Sequence, residues 1–181
     1  MQTLCGIDEA GRGPLAGNLV VVGCILNAAL PQLNDSKKLS EKKRENLYEL
    51  IIEEAKYHIV SFTPQKIDEN GISWCMNTAL KEIQNILDAD HYLFDGNCNF
   101  GVEHIDTMIK ADAQVATVSA ASILAKVTHD RDIRQKALLY PEYGFEKHKG
   151  YGTKHHIEMI KKYGYCDIHR KSYHIKALEK N

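Results

Sequence analysis

Two apolar strands separated by a glycine-rich segment, close to the amino terminus, constrain the fold of this chain more than any other feature. Residues 3–8 are predicted to form a short strand, and Leu19–Leu26, rich in Val and Ile, is predicted to form a buried one. Three glycines at positions 11, 13 and 17 allow the chain to turn between them. A hairpin at this point would make any sheet completed by later parallel strands a mixed one.

Later segments alternate between strand and helix patterns. Strands are predicted at residues 57–63, 91–94 and 102–109, and helices at residues 40–55, 72–87, 119–139 and 153–163. Ser40 is predicted to cap the first of these helices. Strands followed by helices imply an α/β layered fold with a central sheet. The 181 residues fit one domain, with residues 140–145 as the best hinge into a C-terminal helical piece.

Composition excludes several classes of protein. The longest apolar run, Leu19–Leu26, is far shorter than the roughly 18 residues that suggest a membrane span. No basic segment followed by an apolar one opens the chain, so no signal peptide is predicted and a cytosolic location is expected. The five cysteines are widely spread without a CxxC pair, so we expect reduced, buried, apolar side chains rather than disulfides or zinc ligands.

The net charge of −1 conceals an uneven distribution. Residues 1–145 carry 14 Lys and Arg against 20 Asp and Glu, whereas residues 146–181 carry 9 against 4, together with five of the nine histidines. An acidic body can hold cations, and a basic end can bind a polyanion. A solvated basic helix would produce the same distribution, and on charge alone that simpler interpretation is favoured.

The glycine-rich segment carries the first candidate site. Asp8 and Glu9 end the predicted first strand, and the loop that follows contains Arg12. Residues 11–16 match G-x-G-x-x-A, a dinucleotide-binding pattern. That pattern should open a helix, but here a Val-rich strand follows and Pro14 removes a backbone donor. A nucleotide cofactor is therefore not favoured.

Two further acids follow at the ends of later segments. Asp95 ends a predicted short strand, and Asp112 precedes the Ala-rich helix. Taken singly, each is typical of a turn or capping residue. With Asp8 and Glu9 they form a set of four carboxylates that neighbouring strands could bring together, and such a cluster needs a cation to stay ionised. Oxygen ligands favour Mg²⁺ or Mn²⁺ over zinc, and acidic clusters of this kind support two-metal phosphoryl transfer.

Basic and aromatic residues offer contacts for a polyanion. Lys37 and Lys38 precede a helix N-terminus, where phosphate contacts are common. Tyr151 lies between two glycines and follows His148 and Lys149, so it could stack on a base or a sugar. An exposed loop and a solvated turn with one packed tyrosine are the simpler interpretations, and both stay open.

Taken together, these motifs resemble the ribonuclease HII family. The matching segments keep the family's order and cover nearly the whole chain: GIDEAGRGPLAG at 6–17, DSKKLSEKKRE at 35–45, FDG at 94–96, KADA at 110–113, SAASILAKVTHDR at 119–131, YPEYGFEKHKGYGT at 140–153 and, more loosely, HRKSY at 169–173. The resemblance implies an α/β fold, a ribonuclease H-like mixed β-sheet flanked by helices with a small C-terminal helical region. It divides the chain into a catalytic core at 1–140 and a basic, substrate-contacting region at 141–181.

The resemblance also implies an activity. The family consists of endonucleases that cut the RNA strand of RNA/DNA hybrids and nick DNA duplexes 5′ to an embedded ribonucleotide. Two Mg²⁺ or Mn²⁺ ions would serve the hydrolysis, which would leave 5′-phosphate and 3′-hydroxyl ends. No membrane is involved, no protein partner is indicated, and a monomer is the default expectation.

The site residues that the resemblance implies fall into two groups. The metal-binding catalytic carboxylates correspond to Asp8, Glu9, Asp95 and Asp112, with Asp8 bridging the ions. The substrate contacts correspond to Gly11, Arg12 and Gly13 of the loop that reads the RNA–DNA junction, and to Tyr151, which senses that junction. Arg12, Lys37 and Lys38 are the expected phosphate contacts.

Departures from the family pattern avoid these residues. His129 stands where Arg is common, and residues 165–166 and 173–175 lack a Gly-Pro and a Phe-Ala-Pro that are frequent there. Three rival functions stay open: a ribonuclease HIII, a non-enzymatic nucleic-acid-binding module, and a small-molecule phosphatase of the same metal class. The histidine-rich C-terminus also keeps open a metal-free route through a cyclic phosphate.

Overall fold

The computed structural model of the chain describes residues 2–33 and 39–178. The strands are β1 (Leu4–Ala10), β2 (Leu19–Leu26), β3 (Ala55–Phe62), β4 (His91–Asp95) and β5 (Asp106–Met108). The helices are α1 (Glu41–Glu54), α2 (Pro64–Asn70), α3 (Ile72–Ile86), α4 (Ala116–Ala137), α5 (Phe145–His148) and α6 (Lys154–Tyr163). Short 3₁₀ turns lie at Ala111–Ala113, Pro141–Tyr143 and Lys176–Leu178.

The five strands form one sheet in the order β3-β2-β1-β4-β5. β1 pairs antiparallel with β2 and parallel with β4, so the predicted hairpin and the mixed sheet are both confirmed. In the parallel pair, Ile7 lies opposite Phe94. Asp8 and Glu9 therefore leave β1 at the same edge of the sheet where Asp95 leaves β4.

Helices cover both faces of the sheet. On one face, Cys5 and Ile7 of β1 pack in a buried cluster with Met76, Ala79 and Ile83, which recur at helical spacing along α3. On the other face, β2 packs against α4 and against Leu47 and Ile51 of α1. Each cluster buries one alternating face of the central strands, as expected for a sheet covered on both sides.

A third buried cluster joins the C-terminal residues to the rest of the chain. Ile160 of α6 and Phe145 of α5 pack with Ile133 of α4 and with Ala16 from the loop between β1 and β2. Ala16 also forms an isolated antiparallel bridge with His169. The division into a core at 1–140 and a separate region at 141–181 stays a prediction.

Several segment boundaries differ from the sequence prediction. Helix α2 was missed because Pro64, interpreted as the end of a strand, is the first residue of a helix capped by the Thr63 hydroxyl. The strand predicted at residues 102–109 is wrong over most of its length, and only Asp106–Met108 pairs with β4. The capping role of Ser40 is confirmed, since its hydroxyl accepts the Lys43 N–H.

The cysteine prediction is only partly confirmed. All five cysteines are free, and Cys5, Cys24 and Cys75 are buried. Cys98, however, is exposed because it lies in the turn after β4, and Cys166 is half-buried. Across residues 2–33 and 39–178, the helices are all too short or too polar to cross a bilayer.

Gly6 is expected to be essential for packing β1 against α4. A Cβ at this position would lie 2.3 Å from the Val118 nitrogen and 2.4 Å from the Thr117 carbonyl carbon, which are backbone atoms that cannot rotate away. Gly6→Ala should therefore destabilise the chain by about 2 kcal/mol or more. The matched control is Gly13→Ala, whose Cβ would have no neighbour closer than 3.7 Å. Thermal unfolding that gives both variants the same Tm would contradict this packing.

Candidate active site

The four predicted carboxylates lie near one edge of the sheet. Asp8 and Glu9 lie at the end of β1, and Asp95 ends the parallel neighbour β4. Asp112 lies in the 3₁₀ turn after β5, and its backbone N–H donates to Asp95 Oδ2 at 3.2 Å. The acids thus come from two neighbouring strand ends and one turn, and the parallel pairing of β1 with β4 accounts for the proximity of Asp8 and Glu9 to Asp95.

Asp8 is the most buried of the four. Its side chain accepts a hydrogen bond from the Glu9 N–H at 2.8 Å and another from the Ser122 hydroxyl on α4. Burial, with the nearby Glu9 and Asp95 carboxylates, raises the pKa of Asp8 to about 8. The fold therefore places a negative charge where it is costly unless a cation or a proton compensates it.

Glu9 is paired with a residue of the neighbouring loop. Arg12 Nη2 lies 2.9 Å from Glu9 Oε1, and the Arg12 guanidinium also lies over the Phe100 ring. Burial raises the pKa of Glu9; Arg12 opposes this shift, and the Asp95 carboxylate adds to it. The second carboxylate oxygen, Oε2, is buried and has no hydrogen-bond partner among residues 2–33 and 39–178, so it is an available acceptor there.

Asp95 is held by backbone groups of the segment that carries Asp112. The Lys110 N–H donates to Asp95 Oδ1 at 2.9 Å, and the Asp112 N–H donates to the other oxygen. Burial raises the pKa of Asp95, the Asp112 N–H opposes that shift, and the Asp112 carboxyl adds to it. Lys110 adopts a left-handed conformation with φ of 60°, which turns the chain so that both N–H groups face Asp95.

These residues fit a divalent cation, although they do not yet converge as ligands. Within residues 2–33 and 39–178, no three His, Cys, Asp or Glu side chains lie close enough to hold an ion as they stand. Arg12 and backbone N–H groups occupy several of the carboxylate oxygens. The donor set is nevertheless all oxygen, mutually repulsive and supplied with the unpartnered Glu9 Oε2. That chemistry suits Mg²⁺ or Mn²⁺.

A cleft of about 280 Å³ opens beside Glu9. It is lined by Glu9, Ala10, Gly11, Arg12, Gly13, Ser122, Lys126 and Tyr151. The Tyr151 ring is 44% exposed, and a Cβ on Gly13 would lie 3.7 Å from its Cε1 atom. The structure thus brings the glycine loop and Tyr151 together, although 138 positions separate Gly13 from Tyr151 in the sequence.

Gly11 allows the loop its conformation. Its φ of 86° is left-handed, and a Cβ would meet the Asn18 carbonyl oxygen at 2.5 Å and His129 Cδ2 at 2.6 Å. A side chain at this position would be both strained and blocked. The backbone conformation of the loop therefore requires glycine at position 11.

Two predicted phosphate contacts, Lys37 and Lys38, lie outside the described residues. The structure adds Ser122 and Lys126 of α4 to the site, four residues apart and therefore on one helix face. Their helical spacing was visible in the sequence, but which face of α4 meets β1 was not. A larger cavity of about 490 Å³ lies at the opposite end of β1 and contains none of the predicted site residues.

The sheet order and the acidic edge define a ribonuclease H-like α/β protein. A complex of PCNA and RNase HII from Archaeoglobus fulgidus contains a chain that superposes with a TM-score of 0.83 and 26% identity, covering 96% of each chain. Bst-RNase HIII, in a structure with Mn²⁺, shares the fold at a TM-score of 0.66 and 15% identity, over 90% of this chain and 63% of its own.

Sequence comparison is more specific than fold. The ribonuclease HII family model matches residues 5–176. The ribonuclease HII of Sulfurovum sp. (strain NBC37-1) is 59% identical over 178 residues, which span 98% of this chain and 95% of that protein. The chain belongs to the ribonuclease HII family, and it is an endoribonuclease that acts as a hydrolase.

Asp8→Asn is expected to stabilise the chain at pH 7 when no divalent cation is present. The folded pKa of Asp8, about 8, lies above the ordinary value. The stability that this carboxyl contributes is therefore present below about pH 4 and lost as the pH rises towards 8. The amide keeps an acceptor for the Glu9 N–H but carries no charge.

Thermal unfolding with a chelator measures this effect. The variant should have the higher Tm at pH 7, by about 2–4 °C for each kcal/mol gained. Its advantage should shrink near pH 4, and added Mn²⁺ should raise the Tm of the unmodified chain more than that of the variant. A lower Tm for Asp8→Asn at pH 7 would contradict the repulsion described.

Proposed function

We propose that this endoribonuclease hydrolyses the RNA strand of RNA/DNA hybrids and nicks duplex DNA 5′ to an embedded ribonucleotide, using two Mg²⁺ or Mn²⁺ ions. The observation that carries the proposal is the cleft where the Gly11–Gly13 loop and Tyr151 adjoin Glu9, whose carboxyl group interacts electrostatically with Asp8 and Asp95. Membership of the ribonuclease HII family supports the same substrate class.

The cations would be held by Asp8, Glu9, Asp95 and Asp112. When bound, they supply Lewis-acid chemistry that polarises the phosphate and lowers the pKa of the attacking water. The chain's own groups prepare the site: Ser122 orients the Asp8 carboxyl, and backbone N–H groups fix Asp95. The buried Glu9 Oε2 offers an acceptor that no group in the described part of the chain uses.

The cleft offers groups suited to a nucleic-acid strand. Arg12 and Lys126 contribute cationic groups beside the acids, and these would contact phosphates. The exposed Tyr151 ring could stack on a sugar or base, and the backbone of Gly11 and Gly13 can approach a 2′-hydroxyl closely because neither residue has a side chain. We propose Lys37 and Lys38 as two further phosphate contacts.

Two wider expectations from the sequence stay predictions. They are a cytosolic location and a monomeric state. The Archaeoglobus fulgidus relative is described in a complex with PCNA, so a partner of that kind is one outcome to test for this chain by gel filtration.

The reaction should be visible as a nick in a labelled DNA duplex that contains one ribonucleotide. With Mg²⁺ or Mn²⁺ the strand should be cut immediately 5′ to the ribonucleotide, leaving 5′-phosphate and 3′-hydroxyl ends. Chelator, or Asp8→Asn, should reduce cleavage by at least about 100-fold, in line with the loss of metal-assisted stabilisation of the transition state. A cyclic-phosphate product without metal would refute the mechanism, and cleavage confined to long hybrids would refute the junction-reading role of the loop.

Tyr151→Ala should weaken cleavage at a single ribonucleotide more than it weakens binding to the duplex. Removing one stacking platform costs about 1–3 kcal/mol, so kcat/KM on that substrate should fall about 5- to 150-fold. Tyr57→Ala is the matched control, since Tyr57 is 38% exposed on β3 and does not line the cleft. Equal losses of cleavage and duplex affinity in Tyr151→Ala would argue for general binding instead of sensing.

A further inference from the structure

A fully buried guanidinium lies beneath the loop that lines the cleft. Arg170 has no exposed surface, and its Nε and Nη2 atoms donate to the Gly17 carbonyl at 3.0 and 2.9 Å. Nη2 also donates to the Gly11 carbonyl at 2.5 Å, and Nη1 donates to the Arg12 carbonyl at 3.1 Å. One side chain thus binds three carbonyl groups of a single loop.

The choice of acceptors is unusual for a buried charge. Burial lowers the pKa of Arg170, and buried cations are generally paired with a carboxylate. In the part of the chain that the structure describes, every side-chain hydrogen bond of Arg170 goes to a carbonyl or to the Tyr173 hydroxyl. These hydrogen bonds and the negative charge of the nearby Asp68 offset part of the energetic cost of burying the guanidinium, and the hydrogen bonds also hold the loop in one conformation.

Tyr173 adds a second hold on the same loop. Its hydroxyl donates to the Arg12 carbonyl at 2.8 Å and accepts from Arg170 Nη1 at 3.0 Å. The Arg12 carbonyl consequently receives two donors from one C-terminal segment. Neither Arg170 nor Tyr173 lines the cleft, so both act on it through the loop.

The residue next to Arg170 holds the other side of the cleft. The Cys166 N–H donates to His169 Nδ1 at 2.9 Å, which leaves the proton of neutral His169 on Nε2. His169 Nε2 lies 3.0 Å from His156 Nε2, and His156 Nδ1 lies 2.9 Å from the Tyr151 carbonyl oxygen. With both rings neutral, His169 Nε2–H donates to His156 Nε2, and His156 Nδ1–H donates to the Tyr151 carbonyl oxygen. Burial lowers the pKa of both histidines to about 4, which keeps them neutral at pH 7.

The segment that carries both residues is itself hydrogen-bonded to helix α2. Asp68 on α2 accepts from the Lys171 N–H at 2.8 Å and from the Ser172 N–H at 3.0 Å. Gln65, on the same helix, donates to the Asp167 carbonyl at 2.6 Å. The segment that contains His169 and Arg170 is therefore held by α2. His169 supports Tyr151 through His156, and Arg170 supports the glycine loop.

We propose that Arg170 and Tyr173 are positioning residues that set selectivity for a single ribonucleotide by fixing the Gly11–Gly13 backbone relative to Tyr151. The proposal rests on the function proposed above. Recognition of one 2′-hydroxyl requires hydrogen-bonding groups placed within about 0.5 Å, and a loop with two glycines does not keep such a position without support. A long hybrid presents many 2′-hydroxyls, so its cleavage depends less on that placement.

Tyr173→Phe tests the proposal because it removes one hydroxyl and retains the ring. We expect kcat/KM on a duplex with one ribonucleotide to fall about 3–10-fold, the effect of losing one hydrogen bond. The loss on a long RNA/DNA hybrid should be smaller, so the ratio of the two activities should change. Arg170→Lys, which keeps the charge but cannot span three carbonyls, should change the ratio further.

Tyr143→Phe is the matched control. It also removes a hydroxyl that donates to a backbone carbonyl, that of Gly164 at 2.8 Å, but away from the loop. Its ratio of activities should equal that of the unmodified chain. If Tyr143→Phe and Tyr173→Phe change the ratio equally, the effect is a general loss of stability and the proposal is overturned.

The rate of backbone hydrogen exchange measures how firmly the loop is held, independently of catalytic activity. The Leu15 and Gly17 N–H groups donate to the Gly150 and Ile168 carbonyls, so peptides covering residues 11–17 report whether the loop is held. Exchange there should be faster in Tyr173→Phe, with α4 unchanged. Unchanged exchange, or faster exchange with an unchanged activity ratio, would overturn the proposal. If the unmodified chain does not nick the single-ribonucleotide duplex, the proposed junction specificity fails instead, and no selectivity is left for these residues to set.

Discussion

The pairing of β1 with both its neighbours is the constraint on which the rest of the structure depends. β1 is central, antiparallel to β2 and parallel to β4, so its register is fixed from both sides. A slip by one residue would exchange its two faces and move Gly6 away from the α4 backbone that it must accommodate. The same pairing places the carboxyl ends of β1 and β4 side by side, which makes the acidic edge a consequence of the sheet.

Bringing these acids together opposes folding, and the surrounding residues offset part of that cost. Asp8 accepts two hydrogen bonds, Glu9 pairs with Arg12, and Asp95 binds two backbone N–H groups. The pKa values of Asp8, Glu9 and Asp95 still lie above their ordinary ranges. A chain that retains such a repulsive arrangement trades stability for chemistry, which is typical of sites that bind a cation.

Local sequence patterns accounted for much of the architecture. The spacing of Met76, Ala79 and Ile83 is typical of a helix such as α3, because burial of one helical stripe gives a periodic pattern. The run Leu19–Leu26 predicted β2, because a strand buried on both faces is continuously apolar. Sequence patterns gave wrong predictions where the same residue type occurs in two kinds of secondary structure. Pro64 can end a strand or begin a helix, and Val102 and Ile105 are apolar as in a strand, but a turn at Glu103 and His104 lies between them.

The identity of the acids and the glycine loop was determined by the sequence itself, since motif order and residue type specify which groups can bind a cation or approach a sugar. Only the tertiary structure decided which groups act on them. Arg170 lies 159 positions from Gly11 and is joined to it by one hydrogen bond, and no local pattern records such a contact. The physical reason is that a buried charge is stable wherever acceptors surround it, and those acceptors are backbone carbonyls whose direction is set by the folded loop.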